Sequence, residues 1–320
     1  MSAHYTKPST LLQGKVGTMK TTIIIPHGQP EKAQALAELL THCVKTGISP
    51  HCRVIVADGT PNGAGVPDGI ERMELPGLGL TDRVAAALET VSTPLAMVLG
   101  DDDLIHTDGL RACETALCDQ SNEDCALAMG DIVGFGQGWS APWYVQPYGK
   151  FMPGAPASER VPNYLAKYTA PLFYALGRTW AQKRIYNAMK LLQGQFASAF
   201  EFGGHVDAMC HEFAQTGTGL ACGTLIRVPG LMASRRYTGS KQLPYSYLIG
   251  QGWEAYVPRV KALAKLLARE CGAYEETLGV AIWTFMRNAA ADEQARARTH
   301  FAGHAENPQF APQSLFKKKL

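Results

Sequence analysis

The stretch Pro94-Leu95-Ala96-Met97-Val98-Leu99-Gly100-Asp101-Asp102-Asp103-Leu104-Ile105 decides how this chain is read. A proline leads into an apolar run of buried-strand length, and the run ends in three consecutive carboxylates. Adjacent ionised Asp side chains raise one another's pKa, so the cluster is unfavourable unless a cation sits among them. Alternate residues of an extended segment point the same way, which would let Asp101 and Asp103 converge on one ion while Asp102 faces elsewhere. Oxygen-only ligands favour Mg2+ or Mn2+ over zinc. The triplet is also compatible with a solvated turn in which Asp103 or a neighbour caps the next helix. Its position favours the ligand reading, because open α/β sheets bind ligands beyond the carboxyl ends of their strands.

Working outward, Thr21-Thr22-Ile23-Ile24-Ile25-Pro26 reads as a buried strand stopped by proline. Glu31 to Thr46 carries apolar residues at helical spacing, and Cys52-Arg53-Val54-Ile55-Val56-Ala57-Asp58-Gly59 is a second buried strand that ends in an Asp. Met73-Glu74-Leu75-Pro76 predicts a short strand, Thr81 to Val91 a helix, Asp108 to Cys118 another, and Ala126 to Val133 a further strand. This alternation predicts a doubly wound, mostly parallel sheet. From Gly134 to Pro162 the chain is rich in Gly, Pro and aromatics, a long loop of functional type whose rings either stack on sugars or bases or simply cover the sheet. Asn163 to Leu192 mixes an apolar stretch with a basic helix, Val206 to Thr216 is helical, and Leu220 to Val228 is a late strand closely followed by Arg235-Arg236-Tyr237. Trp253 to Glu270 and Tyr274 to His300 predict a helical pair joined at Gly272.

The organisation expected is therefore an irregular extension over 1–18, an α/β domain over 19–240 with halves 19–135 and 136–240, a helical region over 241–305 and a flexible tail over 306–320. A hydrophobic fraction of 46% across 320 residues is enough for a sizeable core. A net charge of +2 gives no electrostatic footprint for nucleic acid, and Lys317-Lys318-Lys319 reads as a solvated tail. The eight cysteines form no Cys-x-x-Cys pair and predict reduced thiols and no zinc site. With no signal-peptide pattern and no membrane-length apolar stretch, a cytoplasmic protein without a membrane span is expected.

Strand plus Pro26, Val56-Ala57-Asp58-Gly59, Gly77-Leu78-Gly79-Leu80-Thr81-Asp82-Arg83 and Val98-Leu99-Gly100-Asp101-Asp102-Asp103 together resemble the nucleotide-sugar half of family 2-like GT-A glycosyltransferases, over about the first 135 residues. The segment Tyr168 to Thr179 is similar to a bacterial subgroup associated with surface polysaccharides. The resemblance implies a GT-A fold with a C-terminal helical extension and inverting transfer from a nucleotide-sugar donor, most commonly a UDP-sugar. The acceptor hydroxyl would belong to a glycan, a lipid-linked sugar or a protein. It places Pro26, His27 and Asp58 at the base and ribose, Arg83 at the nucleotide, Asp102 beside it, and a Mn2+ or Mg2+ ion on Asp101 and Asp103. Arg235 and Arg236 would grip the diphosphate or an anionic acceptor, or else lie on the surface. The family's Glu-Asp base motif is missing, and Asp207 and Glu201 are its candidates here, with Glu212 third. His205 reads as a structural or acceptor contact.

Two other readings differ in class. A sugar-phosphate nucleotidyltransferase would carry a Gly-rich basic loop after the first strand, where this chain has Pro26-His27-Gly28-Gln29-Pro30 and Lys32. A non-catalytic nucleotide- or glycan-binding protein on the same scaffold fits the missing Glu-Asp pair but has no need of so repulsive a triplet. A Rossmann dehydrogenase is disfavoured because no Gly-x-Gly-x-x-Gly follows the first strand.

Overall fold

In the computed structural model the residues described are 19–61, 63, 65–136, 143–145, 154–168, 172–193, 203–237 and 253–304. Glu201, the 1–18 extension, the 306–320 tail and most of the aromatic loop lie outside them.

The first half of the sheet follows the apolar runs closely. Strand β1 (Thr21–His27) and strand β2 (Arg53–Asp58) pair in parallel, with β3 (Glu71–Glu74) beyond β2 and β4 (Leu95–Val98) on the other side of β1. Ile23, Ile24, Ile25, Val54, Val56, Ala96, Met97 and Val98 are fully buried, as expected of strands covered on both faces. Helix α1 (Ala33–Lys45), the single turn α2 (Ile48–His51), α3 (Leu80–Glu89) and α4 (Thr107–Cys118) make the crossovers and flanking layers. Leu36, Leu39, Leu40 and Cys43 form the buried stripe of α1.

The order β3-β2-β1-β4 has its topological switch at β1, from which the chain winds first one way and then the other. Ligands bind doubly wound sheets at such points. Past β4 the sheet is mixed, with antiparallel and parallel pairs. Two short strands without sequence signatures, β5 (Leu104–Ile105) and β8 (Leu176–Arg178), pair antiparallel with the strands beside them. β6 (Cys125–Gly136) and β9 (Thr224–Tyr237) run parallel, and β7 (Trp143–Val145) adds to β6. The full order is β3-β2-β1-β4-β8-β6-β9-β5, a nine-stranded mixed α/β sheet with β7 off the main path.

The late strand is longer than expected. Pro229-Gly230 reads locally as a stop, yet Gly230 adopts φ 113°, and register shifts on β6 around Asp131 absorb the irregularity. The strand resumes and carries Arg235 and Arg236 within β9, opposite Gly134 and Phe135. Leu220, expected in that strand, belongs instead to the helix before it.

Helices α5 (Ala157–Leu165), α6 (Thr179–Gln193) and α7 (Gly203–Cys222) cover the second half. The C-terminal pair is α8 (Trp253–Cys271) and α9 (Glu275–His304), turned at Gly272 with φ 74°. Phe285 of α9 packs edge-on against Phe213 of α7 (5.4 Å) and Tyr168 (5.3 Å), and Tyr168 meets Phe213 at 5.0 Å. No described helix is long and apolar enough to cross a membrane.

Candidate functional site

The carboxyl ends of β1, β2 and β4 lie side by side, so the residues that close each apolar run meet at one edge of the sheet. His27 is in register with Asp58, and the Leu99 N–H bonds Ile24, which carries the chain past β4 into the triplet beside His27.

The triplet does not remain extended. The Asp103 N–H bonds the Gly100 carbonyl at 3.3 Å, which closes a turn and sends the Asp103 carboxylate away from those of Asp101 and Asp102. The alternation expected of Asp101 and Asp103 therefore does not apply. Asp101 turns to β1, with Oδ2 2.8 Å from His27 Nδ1 and Oδ1 3.3 Å from Lys32 Nζ. Lys32 also lies 2.8 Å from Asp102 Oδ2. Burial works to lower the Lys32 pKa, but the Asp102 and Asp101 carboxylates win and hold it above its ordinary value. A cation for the cluster is thus already supplied by the chain, from a 3-10 turn at Pro30–Lys32 just after β1.

Asp103 points the other way, toward the second half of the sheet. Its Oδ2 accepts from Tyr174 Oη at 2.7 Å and its Oδ1 from the Arg236 N–H at 2.9 Å. Burial pushes its carboxyl up to about 6, against the pull of those hydrogen bonds and of the Arg235 charge. The absence of a side chain on Gly100 is what lets Asp103 Oδ2 lie against it: a Cβ there would press on that oxygen and lie 3.5 Å from Asp102 Oδ1.

At the end of β2 both oxygens of Asp58 are engaged. Thr60 gives its N–H (2.9 Å) and hydroxyl (2.7 Å) to Oδ1, and Arg72 Nε lies 3.0 Å from Oδ2. Arg83 lies across the backbone between the β1 and β2 ends. A Cβ on Gly28 would be 2.5 Å from Arg83 Nη2, and one on Gly59 would be 2.5 Å from Nη1. The guanidinium donates to the Leu78 carbonyl at 2.7 Å, while its buried Nε finds no acceptor among the described residues. Burial lowers its pKa, while Asp101 and Asp58 hold it up. Pro26, buried inside β1, is in register with Ala57 and contributes backbone shape.

The two arginines of β9 part company. Arg236 Nη2 lies 2.8 Å from Glu38 on α1, and its guanidinium is 5.8 Å from the Phe135 ring centroid. Arg235 acts electrostatically on Asp103, Tyr174 and Glu212, and favours their ionised forms. Glu212, on α7, has its carboxyl raised by burial and accepts from Tyr168 Oη at 3.4 Å. Asp207 and His205 lie on the first turns of α7, but their side chains, like all of Glu201, are outside the description.

The predicted Asp58, Arg83, His27 and Asp101 to Asp103 thus share one edge, with Arg235 near Asp103. Sequence reasoning missed Arg72, Tyr174, and the role of Lys32 as counter-ion to the triplet. Each is joined to its partner only by the fold, with Tyr174 lying 71 residues from Asp103.

No protein-family model and no curated protein matches this sequence. Among solved structures, S. aureus TarS residues 1–349 in complex with UDP-GlcNAc is similar, with a TM-score of 0.50 and 11% identity over 84% of this chain and 72% of that one. The same S. aureus fragment alone gives 0.47 at 11% identity over 88% and 92% of the two chains, and with UDP 0.48 at 10% over 84% and 71%; scores at that level carry no further weight. The first likeness, together with the strand order, gives the fold as GT-A type with helices at the C-terminal end.

Proposed function

We propose that this protein is a family 2-like GT-A glycosyltransferase that moves a sugar from a nucleotide-diphosphate sugar, a UDP-sugar in the first instance, to an acceptor hydroxyl. The observation that carries the reading is the meeting of Asp58, Arg83 and the Asp101-Asp102-Asp103 turn at the topological switch of the sheet. The similar TarS structure holding UDP-GlcNAc supports a nucleotide-sugar donor. A cytoplasmic enzyme of bacterial surface-glycan synthesis fits the resemblance of residues 168 to 179. The acceptor would be a glycan, a lipid-linked sugar or a protein.

A Mn2+ or Mg2+ ion fits the residues present. The donors are all oxygens, and the missing Gly100 side chain lets Asp102 Oδ1 and Asp103 Oδ2 both come close to that glycine. Asp102 and Asp103 would hold the ion with Asp101 behind them, and it would neutralise charge on the departing diphosphate. The chain's own groups do the rest. Asp58, buried and fixed by Arg72 and Thr60, anchors the end of β2 that would meet the base, with Pro26 and His27 beside it. Arg83 lies flat against Gly28 and Gly59 and offers a cationic face to the nucleotide. Lys32 pairs with both Asp101 and Asp102 and balances their charge. Arg235 adds positive charge on the second half of the sheet. We assign the acceptor's proton to Asp207 at the start of α7, with Glu201 just ahead of it as the other carboxylate at that end. Attack by the acceptor oxygen as the diphosphate leaves then inverts the anomeric carbon in one displacement.

The test is calorimetric and thermal-shift titration with UDP, GDP, CDP and dTDP, each with and without Mn2+, on the wild type and on Asp103→Ala. Metal-dependent binding of one nucleotide, lost in the variant, is expected. Failure of all four under every metal condition would overturn the donor-site reading and leave the non-catalytic alternative in front.

A further inference from the structure

At the opposite end of β1 from His27, about 20 Å along the strand at the usual rise per residue, lies a second cluster of ligand-type side chains. His51 closes the single-turn helix α2, Cys52 follows it into β2, and Glu114 reaches in from α4. One ligand atom from each lies within 4.8 Å of the other two. His51 Nε2 is 3.0 Å from Glu114 Oε2, and Thr21 Oγ1 donates to Glu114 Oε1.

We propose that His51 Nε2, Cys52 Sγ and Glu114 Oε2 form a binding site for one Zn2+ ion that ties α2 and β2 to α4. The mixed nitrogen, sulfur and oxygen set selects a borderline-soft ion over Mg2+ or Ca2+, which take oxygen alone. Three protein ligands leave a fourth position, and the half-exposed His51 opens it to water, while Cys52 and Glu114 are buried. Thr21 supplies the outer hydrogen bond that orients a ligating carboxylate. Without a metal the Cys52 thiol is pushed up to about 12 by burial, by Glu114 and by Cys43; zinc reverses this preference and binds the thiolate. Local spacing does not reveal the site, because His51 and Glu114 stand 63 residues apart. The simpler arrangement is a His51–Glu114 contact with Cys52 as a core thiol, and the metal count below separates the two.

The experiment takes the full chain, strips it with chelator, dialyses it against Zn2+ and counts bound metal; parallel samples loaded with Co2+ are read for thiolate-to-cobalt charge transfer. One ion per chain is expected in the wild type and in an Asp102→Asn, Asp103→Asn variant, which excludes the donor carboxylates as the ligands. Metal content and the charge-transfer band should fall to near zero in Cys52→Ser and His51→Ala. The exposed thiol variant Cys118→Ser should leave both unchanged. Thr21→Val should weaken Zn2+ about tenfold or more. No bound zinc in the wild type, or a full ion with its band in Cys52→Ser, overturns the proposal. If Cys52→Ser does not fold, His51→Ala decides: its side chain is 40% exposed, and undiminished zinc there is equally fatal.

Discussion

Asp103 should impose a pH-dependent burden on the metal-free fold, and its size follows from its surroundings. The carboxyl is 4% exposed and is displaced by burial from an ordinary 3.8 to about 6. The folded state therefore holds this proton more tightly than the unfolded chain. Below about pH 4 both states carry it and nothing is lost. Between pH 4 and 6 the unfolded chain releases it first, so stability falls as pH rises, and above about 6 the whole penalty remains. The displacement corresponds to about 3 kcal/mol, an upper figure for a group held by two hydrogen bonds. Asp103→Asn removes the titration while its amide can still accept from the Arg236 N–H and donate to the Tyr174 oxygen. Urea unfolding of both proteins in chelator, from pH 4 to 7.5, should show the variant gaining on the wild type by up to ~3 kcal/mol through that window. Saturating Mn2+ at pH 7 should restore most of the loss in the wild type and little in the variant. A stability difference that stays flat across the range would refute the reasoning.

Lys32→Met should lower stability in chelator by about 1 kcal/mol, because the ion pair it breaks is only partly screened from water, and should tighten Mn2+ binding by removing a competing cation; weaker Mn2+ binding in calorimetry would contradict this. Arg72→Ala takes the cation from the fully enclosed Asp58 carboxylate, which keeps the Thr60 donors, and should cost about 3 kcal/mol in chemical denaturation together with a loss of UDP affinity, with Arg72→Lys recovering only part. Gly28→Ala should push the Arg83 guanidinium off the β1 and β2 ends, weakening nucleotide binding tenfold or more while the melting temperature moves little, since the clash is with the far end of a flexible side chain. An unchanged nucleotide Kd in Gly28→Ala would mean that Arg83 does not face the ligand.

How far the sequence could be read depended on whether a feature was local. The runs ending at His27, Asp58 and Val98 announce themselves because a strand buried on both faces must be continuously apolar. Strands β5 and β8, at two and three residues, are too short to show any period, and they exist because the edges of β9, β4 and β6 need partners. Pro229-Gly230 concealed the second half of β9, since only a bulge matched by shifts on β6 lets the strand continue through it. The site divided in the same way. Its carboxylates were visible as residue types, whereas Lys32, Tyr174 and Arg72 became legible as their partners only after the chain had folded. That Asp101 and Asp103 diverge is not legible in the sequence, because a single hydrogen bond from Asp103 to Gly100 turns the backbone.

The ring cluster of Tyr168, Phe213 and Phe285 gives the C-terminal helices a standing beyond that of an appendage. Phe285 of α9 rests on the same two rings through which α7 and the Tyr168 hydroxyl meet Glu212. A chain shortened before α9 would leave a greasy socket facing water and a buried acid, Glu212, whose donor Tyr168 had lost its support. The boundary between the α/β half and its helical end is therefore a poor place to cut or to graft. Any chimera that exchanges the second half of the sheet should carry both terminal helices along with α7, as one inherited block.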